Sequence, residues 1–188
     1  MDSYEILLAE ASDLGLIVKE KPLKYNNGRI KGNKVAIRQD IETTVQKTCV
    51  LAEELGHHCT SVGDILDQTN VQNRKQEFRA RMWAYNEMVG LMGIVRAFHH
   101  GCRSTYEVAE YLEVTEEFLN DALNAYRDKY GVYTTVDNYI IYFIPGLTVF
   151  KKEQKILHCY YYQLQFMVIC YGIFINIFTK GDFYYDRF

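Results

Sequence analysis

The hydrophobic period of this chain changes at Thr43, and that change limits the folds open to it. Before it, residues 16–40 alternate and turn. LIVKEKPL is followed by YNNGRIKGNKVAIRQDI, with Asn27-Gly28 and Lys31-Gly32-Asn33 as turn signals between short strands. Beyond it, apolar residues recur at helical spacing. Val45, Cys49, Ala52 and Gly56 lie on one side with Thr48, Leu51 and Leu55 beside them, which describes one buried helix through His58. A helix over residues 2–14, closed by Gly15, precedes the strands. A small sheet followed by a run of helices is an α+β pattern.

Residues 72–98 read as a second long helix, with Phe78, Met82, Tyr85, Val89 and Met92 as its apolar stripe. Two shorter helices are expected at about 104–111 and 115–129, separated by Leu112-Glu113-Val114 and ended by Gly131. From Tyr133 to Val149 the sequence alternates and turns at Asp137-Asn138 and Pro145-Gly146, the pattern of a terminal hairpin. A length of 188 residues suits one compact domain plus an appendage. The expected divisions are 1–100, 101–150 and 151–188.

The last division has a composition of its own. Residues 151–188 hold 11 of the 27 aromatic residues and no alanine. The stretch 156–178 reaches membrane-spanning length only by including His158 and Cys159. A membrane helix, an aromatic addition to the core and a segment without selected function all stay open for it, and membrane contact is not the favoured one. The first 150 residues carry 16 basic and 21 acidic side chains, which gives no basic excess for nucleic acid. Five cysteines without repeating spacing, and a start lacking a basic n-region, point to reduced thiols and a cytoplasmic protein.

The chemistry concentrates in Glu53-Glu54-Leu55-Gly56-His57-His58. Residues four apart share a helix face, so Glu53 and His57 are positioned to grip one metal ion. Glu54, one position round, would face the reacting water. That is the logic of the HExxH helix of zinc peptidases, with glutamate in place of the first histidine. Carboxylates do ligate zinc, but as harder ligands. Acidic side chains on a solvated helix face are the commoner reading of such a run. Two features count against it here. The carboxylates border an apolar face, and Gly56, disfavoured by about 1 kcal/mol in a helix, signals close approach to the backbone. Glu77 in KQEFRARMWA is the candidate third ligand, on a helix whose Ala80 and Ala84 permit close packing. Its plain alternative is an ion pair with Lys75, Arg79 or Arg81.

LAEELGHH, then GDILDQ, then KQEFRARMWA together resemble the ImmA/IrrE family of metallopeptidases of prophages and mobile elements. The family's second motif, E-x-x-A-x-x-[FW]-A, is matched from Glu77 to Ala84. The resemblance covers roughly residues 4–150. It implies a mainly helical zincin-like core behind a small N-terminal sheet, then a helix-turn-helix-like pair. It further implies Zn2+ as cofactor, His57 and Glu77 as ligands, Glu54 as general base and Glu53 in the first ligand position. His58 is an alternative ligand, although a neighbouring residue points about 100° away. The implied substrate is a helix-turn-helix repressor. A catalytically silent relative that binds the repressor without cleaving it is the competing expectation.

The helix-turn-helix spacing lies in residues 104–131. Between 104 and 128 there are seven acidic side chains against Arg127 alone, which would repel phosphates. No direct nucleic-acid binding is expected. A helical pair packed on the core, or a docking face for a basic repressor, accounts for the segment. His99-His100 with Cys102 reads as a helix end, and Cys59 as a small buried residue.

Overall fold

Asp2 opens the first helix. Its side chain accepts from the Glu5 amide and Glu5 returns the bond, a capping box that starts α1 (Ser3–Asp13). The computed structural model describes residues 2–61 and 71–152. Gly15, at φ +73°, then turns the chain into β1 (Ile17–Lys21), β2 (Gly28–Lys31) and β3 (Lys34–Arg38). The strand order is β1-β3-β2, with β1 parallel and β2 antiparallel to β3. Val35 and Ile37 of the central strand are fully buried.

The period change at Thr43 is the start of α2 (Thr44–Thr60), where the Thr43 hydroxyl accepts from the Gln46 amide. Its buried residues are Thr48, Cys49, Leu51, Ala52, Leu55 and Gly56, the face the apolar spacing describes. Against it packs α3 (Val71–Met88). The two backbones come close where a Cβ on Gly56 would run into the carbonyl of Ala80. This contact turns Ala80 and Ala84 inward, both fully buried.

The expected stripe of α3 is corrected by that contact. Met82, Tyr85 and Val89 are buried, but Phe78 is 49% exposed. The expected single helix over 72–98 is two. Gly90, at φ +55°, ends α3 and begins α4 (Leu91–His100) without a side-chain cap. Gly101 closes α4 in the left-handed conformation.

Next come α5 (Thr105–Tyr111), opened by a Ser104–Glu107 capping box, and α6 (Glu116–Tyr130), opened by Thr115. Both match the expected short pair. The Thr115 amide also donates to Cys49 Sγ at 3.4 Å, which docks the start of α6 on α2. Tyr126 of α6 donates its hydroxyl to the Tyr85 carbonyl at 2.9 Å, and Phe118 meets the Tyr85 ring edge-on at 5.1 Å. The expected terminal hairpin is present as β4 (Tyr133–Val136) and β5 (Tyr139–Tyr142). A third antiparallel strand, β6 (Thr148–Lys151), extends it.

One hydrophobic core runs from Leu7 through Leu51, Leu55 and Leu119 to Val149, and the described residues through Lys151 form one compact unit. Among the described residues no helix is long and apolar enough to cross a membrane. The readings of 156–178, and of GDILDQ, lie outside the described residues.

Candidate metal centre

Packing alone brings the acidic turn of α2 and the middle of α3 together. With Gly56 against Ala80, the next residue on α2, His57, comes level with Glu77. His57 Nε2 and Glu77 Oε2 are 3.5 Å apart. That is beyond a good hydrogen bond. It is the spacing, about 3.3–3.5 Å, that two tetrahedral ligands of one zinc ion adopt at ordinary bond lengths. On the other side of the ring, Nδ1 lies 3.5 Å from the Ser61 hydroxyl. Burial lowers the His57 pKa, with Glu77 opposing and Arg81 reinforcing, which favours the neutral ring, the form in which imidazole binds metals.

Glu77 is held from both sides. Its Oε1 accepts from Arg81 Nε at 2.8 Å, one turn along α3, while Oε2 faces His57. The ion pair with Arg81 and the approach to His57 therefore coexist, and the two expectations for Glu77 do not exclude each other.

Glu54 lies under the small sheet. A Cβ on Gly28 of β2 would stand 2.6 Å from Glu54 Oε1 and 2.7 Å from Val50 Cγ1, so glycine lets the strand pass over the carboxylate. The Ile30 backbone lies close enough to favour the ionised Glu54 carboxylate. Burial, then repulsion from Glu53, push the Glu54 carboxyl up to about 7, against the effect of Ile30.

Glu53 is half-buried, one turn before His57. Burial raises its pKa first of all. The Arg81 charge opposes this, while Glu77, Asp121 and Glu117 add to it. Glu53 also lines a cleft of about 510 Å³ between the end of the sheet, α2 and α6, with Asp40, Glu117 and Asp121 on its walls. Among the described residues no three His, Cys, Asp or Glu side chains converge as they stand. His57 and Glu77 are brought together, and Glu53 is near in charge but not closed onto them. His58 is exposed and not part of the group. Cys59 is exposed too, against the expectation of a buried thiol. His99 bonds the Tyr139 hydroxyl at 2.7 Å, far along the chain from this centre.

The donor chemistry of a neutral imidazole and a fixed carboxylate at tetrahedral spacing, with further carboxylates beside them, fits a divalent cation. Gly28 and the Ile30 backbone were not recognisable as parts of the site from the sequence. Asn27-Gly28 carries a turn signal, and nothing in it announces the contact with α2.

The class of protein, one of metallopeptidase type, follows from the family to which the chain is matched. The profile of the Peptidase M78 family, the IrrE N-terminal-like domain, matches residues 11–124, more than half of the chain. The chain belongs to that family, and the ImmA/IrrE resemblance of its two motifs is thereby established. No curated protein and no solved structure matches it.

Proposed function

We propose that this protein is a zinc-dependent endopeptidase that cleaves a helix-turn-helix repressor of a prophage or mobile element. The observation that carries the reading is the 3.5 Å approach of His57 Nε2 to Glu77 Oε2 beside a carboxyl raised to about 7. His57 and Glu77 would hold the ion, with Glu53 as the third donor from the same face of α2. When bound, the ion supplies a Lewis acid that polarises a peptide carbonyl and acidifies a water.

The chain's own residues do the rest. Glu54, poised near neutral pH, takes the proton from the attacking water and returns it to the leaving amine. The Ile30 backbone favours the ionised form of that carboxylate. Arg81 holds Glu77 Oε1 and so keeps Oε2 on the His57 side. Among the described residues β2 pairs only with β3, which suits an extended substrate lying along its other edge. All seven acidic side chains between 104 and 128 are exposed, a surface of opposite charge to a DNA-binding repressor.

The test is incubation of the purified protein with the helix-turn-helix protein encoded beside it, followed by mass spectrometry of the products. Defined fragments with wild type, and none with Glu54→Gln, are the expected result. A second reading is favoured by the glutamate at position 53: a silent relative that inactivates the repressor by binding alone. In that case Glu54→Gln relieves repression as well as wild type does, and no fragment forms.

A further inference from the structure

Two helices of this unit carry exposed faces of opposite charge. In the first half of α3, Val71, Lys75 and Phe78 fall on one stripe at i, i+4 and i+7, with Arg74 and Arg79 flanking it. These residues line a groove of about 290 Å³. Among the described residues its lining holds three cations and no anion. Val71 is 53% exposed and Phe78 49%, so the apolar part of the groove is open to solvent. On α6, Glu117, Asp121 and Asp128 also share one stripe, at i, i+4 and i+11, and all three are exposed. They point away from the buried Phe118, Leu119, Ala122 and Tyr126. Glu117 and Asp121 also wall the cleft of about 510 Å³ that Glu53 lines.

We propose that the occupant of the basic groove is a second copy of this chain, with α3 of one copy seated on the acidic α6 stripe of the other. Charge complementarity carries the inference. An open aromatic side chain ringed by cations suits an anionic helix face, and the chain supplies that face itself. The lengths also agree. At 1.5 Å per residue the groove stripe runs roughly 10 Å and the acidic stripe about 16 Å, enough to meet all of it. Under a two-fold axis each copy offers its groove to the other's stripe, so the pair closes with both contacts made twice. Burial of Phe78 supplies the apolar part of the contact, while the charges select the partner and set the register. The dimer covers the α6 wall of the cleft beside Glu53, and with it part of the acidic surface offered to the repressor. The monomer is then the form that takes substrate, and its share falls as concentration rises. That consequence rests on the metallopeptidase reading above; the association itself does not.

Sedimentation velocity of the full-length protein, over a concentration series at low and at high salt, reads the association directly. A monomer–dimer equilibrium weakened by about tenfold or more at high salt is expected. Lys75→Glu with Arg79→Glu in one chain, and Glu117→Lys with Asp121→Lys in another, should each weaken it by a similar factor. An equimolar mixture of the two reversed proteins should pair again, because each groove then faces a stripe of opposite charge. That arm separates loss of the contact from loss of the fold. A wild type that stays monomeric throughout the series would overturn the inference, as would a dimer that neither salt nor the reversals weaken. Reversed proteins that are folded by circular dichroism but do not pair when mixed would overturn it too. Metal content of the wild type decides the metallopeptidase reading separately, whichever way the dimer falls.

Discussion

Glu54 shows how little separates a structural carboxylate from a reactive one. Burial and the neighbouring Glu53 raise it to about 7, and the Ile30 backbone pulls the other way. Its folded pKa thus lies above the ordinary value of 4.5. Between these two pH values the folded state holds more protons than the unfolded one. Stability attributable to this group is fully present below pH 4.5 and is lost as pH rises through 7. The loss is bounded at about 3 kcal/mol by 1.36 kcal/mol per unit, and solvent access to a half-buried group reduces it. Glu54→Gln removes the ionisation but keeps an oxygen beside the Ile30 backbone. Urea unfolding in the presence of chelator should find the variant equal to wild type at pH 4 and more stable by about 1–2 kcal/mol at pH 8. Equal stability at both pH values would contradict the assignment of a buried, repelled carboxylate.

The helices α2 and α3 carry the site, and their register is set where glycine meets alanine. Gly56→Ala gains about 1 kcal/mol of helix propensity. It also drives a methyl group into the Ala80 carbonyl, which is backbone and cannot rotate aside. Overpacking of this kind costs about 1–3 kcal/mol, so the sum is destabilising. Denaturant unfolding should show a loss of up to about 2 kcal/mol for Gly56→Ala. A more stable variant would mean that the helices do not touch there. This contact was partly legible in the sequence, because a glycine inside an apolar helical run has to be explained. Its partner was not, since alanines are too small to register as a stripe. Phe78 looked like the buried residue because apolar spacing weighs large side chains, yet the Ala80–Ala84 face is the one turned inward. The break at Gly90 was hidden for a related reason. Val89, Met92 and Val95 continue the helical spacing across it, and the φ of one glycine leaves no mark on that pattern. The third strand of the terminal sheet was missed because Thr148–Lys151 borders the change in composition that begins the aromatic tail.

At the scale of the whole unit, the small sheet, the α2–α3 pair and the acidic α5–α6 pair meet around one turn of α2. The sheet contributes the strand over Glu54, α3 contributes Glu77 and Arg81, and α6 closes the cleft beside Glu53. His57, Glu77 and Glu54 are candidates from two sequence motifs, because ligand spacing on a helix is a local property. The groups packed beside them, Ile30, Gly28 and Ser61, come from other elements or from beyond the motif, and only the folded chain brings them in. The central claim is that this convergence is a metal centre. Elemental mass spectrometry of the purified protein beside Glu77→Ala tests it most directly. The account predicts close to one divalent metal ion per chain in wild type and its loss in the variant. No metal in folded wild type, even after reconstitution with Zn2+ and Mn2+, would contradict it.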